Sequence, residues 1–333
     1  MRAMNKNKKL GCLSLLCISP LALAMQPMDD QSLSAMTGQD GLTIGVESNI
    51  QFNQLAMIDN DGLTTDYTNR AGLVIAGVAG QSSEAPVKIS GLNGSSETML
   101  GIRATIDTDA GTSSNAFVNI GLAFNDNVTG IRISPFSVYA AAANSLSSIS
   151  GTTYTQNSIF SSGTLIKSDV KEILRLGGID IVFAANTPTM NIQLGSAPQG
   201  DMIRFGGAID SICGAGDGCN IMLVSDYATS GDATTAPIGA SFDFKFTGHN
   251  GSPFGLTGFY AGIESANGTN PGGFVFGHAG TTDKFNLQLN NVLLGTNNAQ
   301  QANVFNNLPN ASMGSFGLTG ASVTNLRMRV NGL

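Results

Sequence analysis

The sequence predicts an all-β fold, and three observations carry that expectation. Apolar and polar residues alternate over many short runs, Gly, Asn and Asp turns separate the runs, and charge is sparse. Alternation is what a strand with one buried face requires, because successive side chains point to opposite sides. Gly makes up 42 of 333 residues and charged residues 12%, against usual shares of about 7% and ~25%. Such a chain keeps its outer faces wet with Asn, Ser, Thr and Gln instead of ion pairs. Hydrophobic residues at 42%, regularly spaced, set it apart from a disordered polymer.

Residues 1–24 have a basic start (Arg2, Lys6, Lys8, Lys9), an apolar stretch from Leu10 to Leu23 and a small-x-small end at Ala22-Leu23-Ala24, which predicts a secretory signal cleaved before Met25. Cys12, after Lys9-Leu10-Gly11, has no apolar segment before it, and Cys17 follows Ser14-Leu15-Leu16, whereas lipid attachment wants small residues just before the cysteine after a full apolar run. No second apolar segment of spanning length follows, so no transmembrane helix is expected in the mature chain. Without the four leader cations the formal charge of −7 becomes −11. A chain that acidic excludes nucleic acid as a partner.

Residues 25–41 form a separate N-terminal segment. Asp29 or Asp30 can cap a helical turn, Leu33 and Met36 share one face, and Gly38 suits a left-handed stop, so a short helix is expected there. Behind it Leu42, Ile44, Val46, Ile50 and Phe52 alternate with polar residues and predict the first strand. The whole run, Asp29-Asp-x-x-Leu-x-x-Met-Thr-Gly-Gln-Asp-Gly-Leu-Thr-Ile44, resembles the N-terminal signature of the Fil-type pilus-system proteins of bacteria. The resemblance covers about seventeen residues. It implies a surface or pilus-associated role and no defined chemistry.

Residues 42–333 read as one elongated β domain. Ile58 to Gly62 is a turn and Gly72 to Val78 an apolar run. Leu100, Ile102, Ala104 and Ile106 define a half-buried strand, as do Ala116, Val118, Ile120, Leu122 and Phe124. Ile131 to Val138 continues the pattern with a bend at Pro135. A Ser/Thr/Ala-rich loop is expected near residues 140–168. Ser168 to Leu176 fits a capped helix and an alternating strand equally. Strand-like runs follow at Ile179 to Phe183, Met190 to Leu194, Met202 to Phe205, Ile221 to Val224, Phe242 to Phe246, Gly273 to Phe276, Phe285 to Leu294 and Asn325 to Val330. Phe254-Gly-Leu-Thr-Gly258 recurs as Phe316-Gly-Leu-Thr-Gly320, which suggests stacked units and favours a β-solenoid-like stack. A large antiparallel sandwich is the alternative. An outer-membrane barrel also uses alternating segments, but there is no Trp and no aromatic girdle.

Few residues offer chemistry. Of four cysteines only Cys213 and Cys219 outlast the leader, and in an oxidising compartment they are expected to close a small disulfide loop. His249 and His278 sit in Gly-flanked, turn-like stretches with no partner at metal-ligand spacing. No Gly-x-Ser-x-Gly elbow occurs. Two acidic clusters are candidate calcium sites: Asp59 and Asp61 with Asp66, and Asp107 with Asp109. Neither completes an EF-hand loop, and ordinary Asx turns are the simpler reading of both.

The expected function is therefore non-catalytic: an exported structural or assembly component of a pilus- or fimbria-like system, at the cell surface or outer membrane, with the periplasm as the alternative. Its expected partners are other pilus-system or envelope proteins, or further copies of itself. The strand holding Leu42, Ile44, Val46, Ile50 and Phe52 is the candidate for pairing with a neighbour. A secreted carbohydrate- or calcium-binding β module is the rival, and a polysaccharide-active enzyme a weaker one.

Overall fold

The alternating runs become strands, and they sort into two antiparallel sheets through which the chain weaves in strict order. The computed structural model describes residues 41–59, 71–79, 85–111, 115–142, 157–160, 166–226, 238–268, 271–296 and 311–331. Strand β1 (Leu42–Ser48) opens the first sheet. The chain crosses at Asn49 to the second sheet, laying down β2 (Ile50–Phe52), β3 (Gln54–Asp59), β4 (Ala71–Ala76) and β5 (Val87–Asn93), with β6 (Ser96–Thr98) folded back on β5. It returns to the first sheet for the hairpin β7 (Leu100–Asp109) and β8 (Phe117–Phe124). Crossing again, it adds β9 (Gly130–Ile133), β10 (Phe136–Ala142), β11 (Val170–Leu176) and β12 (Ile179–Phe183) to the second.

The same alternation repeats twice more. The first sheet gains β13 (Thr189–Gly195) and β14 (Ile203–Gly206), and the second gains β15 (Ala208–Ile212), β16 (Cys219–Asp226) and β17 (Ile238–Gly248). After the two-residue β18 (Phe254–Gly255) come β19 (Phe259–Glu264) and β20 (Gly273–His278) in the first sheet, β21 (Phe285–Thr296) and β22 (Ala311–Ala321) in the second, and β23 (Arg327–Val330) in the first. Strand order across each sheet therefore follows chain order.

Several neighbouring short strands of the second sheet are halves of one course. Gln54 pairs with Ala76 while Phe52 pairs with Val87, and Phe136 pairs with Leu176 while Ile133 pairs with Ile179. β15 and β16 likewise both lie antiparallel to unbroken β17, through Ser211 with Thr247 and Cys219 with Phe244. The result is eight antiparallel courses, the first five broken along one seam, at Asn53, between β4 and β5, and at Ser134-Pro135, Gly177-Gly178 and residues 213–218. Proline, paired glycines and a disulfide loop are what lets a strand break there without leaving the sheet.

Two buried clusters hold the sheets. Leu100 of β7 and Phe183 of β12 pack with Val128, joined by Ile102, Phe124, Ile89, Ile131, Ile181 and Ile209, so this core lies between the two sheets. A run of rings continues it, with Phe124 on Phe183 and, further along, Phe254 against Phe246, Phe285 and Phe259. Beyond the seam the second sheet buries Val74, Tyr139 and Val170 under Ile159 and Ile166. Those two residues come from the Ser/Thr/Ala-rich stretch, which thus supplies part of a core.

The expected all-β class holds, and among the described residues the one helical turn is the 3-10 turn His249–Gly251. Of the two architectures, the antiparallel sandwich is the one these sheets fit. The favoured solenoid-like stack does not form, because successive courses in each sheet pair antiparallel instead of coming round in one direction. Neither sheet closes into a barrel; β1 and β23 remain separate edges of one, β3 and β22 of the other. The ambiguous Ser168 to Leu176 stretch is strand, as β11. The expected leader and N-terminal helix lie outside the described residues.

Candidate functional site

Cys213 and Cys219 form the expected disulfide, with Cα atoms 5.2 Å apart. Its place explains its use: it pinches off Gly214 to Gly218 so that β15 and β16 stay in one course beside β17. Cys213 N–H donates to Asp180 O, and Lys245 Nζ, opposite the loop, donates to Gly216 O. Replacing both cysteines by Ala is expected to lower the unfolding free energy by about 2.4 kcal/mol, the chain entropy of a seven-residue loop, which urea denaturation measures directly.

Of the acidic candidates, only Asp59, Asp107 and Asp109 lie among the described residues. Asp107 Oδ1 accepts from Thr108 N–H and Asp109 Oδ1 from Gly111 N–H, so both carboxylates serve the end of β7 as turn acceptors. Asp59 closes β3 opposite Ala71, while Asp61 and Asp66 lie outside the described residues. Among the described residues no three His, Cys, Asp or Glu side chains converge as metal ligands would. His278 differs from its turn-like expectation: it is buried at the end of β20 with its ring against Phe259. His249 Nδ1 sits 3.0 Å from Asn286 Oδ1.

The candidate assembly strand divides in two. Leu42, Ile44 and Val46 belong to β1 at one edge of the first sheet; Ile50 and Phe52 belong to β2 at one edge of the second. Each pairs inward, β1 with β7 and β2 with β5, and among the described residues no strand lies on its other side. Leu42, Ile44, Val46 and Ile50 are exposed, and β3 beside them exposes Leu55 (58%) and Met57 (69%).

The opposite edges, absent from the sequence-based candidates, show the same condition. β22 exposes Met313, Phe316 (50%) and Leu318 (56%), and β23 exposes Met328 and Val330. The Phe-Gly-Leu-Thr-Gly repeat makes the contrast plain, because Phe254 in the first copy is buried at 7%. Large apolar side chains clustered at sheet edges mark interaction surfaces. β23 is held by Glu264, whose carboxylate accepts from Arg329 and Arg327 at 2.6–2.7 Å. These bonds keep the Glu264 carboxyl below the usual range.

A buried polar cluster lies beside the seam, and sequence reasoning missed it. Glu172 is fully buried; its Oε1 accepts from Ser137 Oγ (2.6 Å) and Arg175 Nε (2.8 Å), and its Oε2 from Arg175 Nη2 (2.8 Å). A bulge explains the pairing. Tyr139 faces Glu172 while Val138 faces Leu174, so Ile173 is an extra residue and Glu172 and Arg175 share a face despite their spacing. Tyr139 donates to Gly77 O and accepts from Ala79 N–H, tying residues 77–79 to the sheet. Burial, and then the Glu172 carboxylate, push its hydroxyl pKa up. The seam opens into a cleft of about 680 Å³ lined by Lys88, Glu97, Pro135, Arg175 and Asn220.

No helix among the described residues is long and apolar enough to cross a membrane. No curated protein and no solved structure matches the chain. Residues 4–110, about a third of it, match a family of unknown function, DUF6160.

Proposed function

We propose that this protein is a non-catalytic, exported structural or assembly component of a pilus- or fimbria-like surface system, of the Fil type that its N-terminal signature resembles. One observation carries the reading: a two-sheet scaffold that leaves large apolar side chains exposed on edge strands at both ends of its strand order. Edge strands of this kind serve β-augmentation, in which main-chain hydrogen bonds hold the partner and side-chain pockets select it. The sparse charge and the amide- and hydroxyl-rich faces suit a protein that works outside the cell. Its partners on this reading are other appendage or envelope proteins, or further copies of itself.

The test is fractionation of native cells, with shear release followed by blotting for the protein and what accompanies it. High-mass assemblies in the sheared surface fraction are the expected result. Recovery solely as a periplasmic monomer withdraws the appendage reading.

A further inference from the structure

We propose that copies of this chain join head to tail, β22 and β23 of one copy receiving β3 and β1 of the next, so that both sheets continue across the junction. This deepens the assembly reading above and rests on it.

Three features of the two sheets point to a second copy as the occupant. The first is position. β1 and β2 are separated by Asn49 alone, so the starting edges of both sheets lie together; β22 and β23 are joined by residues 322–326, so the finishing edges do too. The core follows the same order, from Phe124 on Phe183 near the start to Phe254, Phe259 and Phe285 near the finish. Each end therefore offers a pair of sheet edges at once.

The second is direction. The second sheet has eight courses, each antiparallel to the last, from β2 and β3 through to β22. With an even number, the first and last courses run oppositely. A copy added in the same orientation sets its β3 antiparallel to the preceding β22, with no inversion of the subunit. The first sheet also has eight strands.

The third is charge. β22, eleven residues long, contains no charged residue and no proline, the devices that normally keep an edge from pairing. β1 carries Glu47, whose carboxylate accepts from a neutral amide, Asn125 Nδ2. β23 carries Arg327 and Arg329 against the single Glu264 on β19, leaving positive charge in excess. Joining β23 to β1 sets opposite charges together, whereas a two-fold pairing of β23 with itself sets arginine against arginine. The head-to-tail contact is heterologous, and a heterologous contact whose rotation does not close on itself produces an open series of oligomers.

The test uses the chain expressed with its own leader and recovered from the cell envelope, with mass measured by light scattering across a concentration series. One variant, Leu55→Lys with Met57→Lys, blocks the starting edge; another, Phe316→Lys with Leu318→Lys, blocks the finishing edge. All four side chains are exposed, and circular dichroism checks that each variant folds. The expected result is an open ladder of species for the native chain, monomer for each variant alone, and dimer with nothing larger for their equimolar mixture. A native chain that stays monomeric overturns the proposal, as does a closed dimer that does not grow, or a variant mixture without dimer. A native monomer that oligomerises only when residues 25–40 are removed also overturns it, and shows that the chain covers its own edge. Monomer that still enters the sheared appendage fraction leaves the assembly reading standing without this contact; a ladder in vitro, with none of the protein in that fraction, does the reverse.

Discussion

Glu172→Ala is expected to destabilise the protein by about 3–5 kcal/mol, the cost of breaking a buried ion pair from one side. Glu172 has no exposed surface and the Arg175 side chain only 13%. Removing the carboxylate leaves the guanidinium and the Ser137 hydroxyl without their acceptor in a place that water reaches poorly. Most of that loss comes from the stranded charge and little from the pair as such. The double replacement Glu172→Leu with Arg175→Met is therefore expected to fall close to the native chain. Urea midpoints for the two single variants and the double one measure the coupling. A Glu172→Ala loss under about 1 kcal/mol, the value of an exposed pair, shows that solvent reaches the cluster through the seam.

The second large effect is expected at Phe254→Ala, about 3–5 kcal/mol. Its ring meets Phe246 at 5.2 Å, Phe285 at 5.8 Å and Phe259 at 5.9 Å, the first two in the second sheet and the third in the first. Truncation leaves a cavity bounded by three rings anchored in different strands, which cannot all move in to fill it. Phe316→Ala, the same residue of the repeated pentapeptide, is expected to change stability by no more than about 0.5 kcal/mol, because half of Phe316 already faces solvent. Thermal unfolding of the two variants side by side checks the contrast. Equal losses would mean that Phe316 is covered in the isolated chain.

Much of the strand content was legible because alternation survives wherever one face is buried. Leu100 to Ile106 lies in β7, Phe285 to Leu294 in β21, and the bend expected at Pro135 is the break between β9 and β10. Strands β5, β15 and β19 gave weaker signals: Val-Lys-Ile-Ser-Gly-Leu-Asn, Ala-Ile-Asp-Ser-Ile and Phe-Tyr-Ala-Gly-Ile-Glu are short or interrupted by Gly and small polar residues. Partnership was not legible. Alternation says which face of a strand is buried but not which strand lies beside it, so the weaving between two sheets and the seam were hidden. Asp169 and Glu172 fit a helix cap by spacing, and only the bulge at Ile173 brings Arg175 onto the buried face that Glu172 shares with Val170. The cysteine pair was legible because two thiols leave one connectivity. The starting edge could be named from Leu42, Ile44 and Val46, whereas the exposure of β22 depends on its being the last course, which no local pattern reports.

Because strand order in each sheet follows chain order, no ladder among the described residues joins the first strands to the last. A chain emerging N-terminus first meets its pairing partners in the sequence in which they emerge, and each new hairpin finds a completed edge waiting for it. Length is modular for the same reason. Deleting β19 and β20 together with β21 and β22 keeps the ladders up to β14 and β17 but takes from β23 its one partner among the described strands, β20. Duplicating that block lengthens both sheets by two courses, preserves their parity and leaves β22 and β23 as the finishing strands, so this chain can grow by whole units without redesign of its ends.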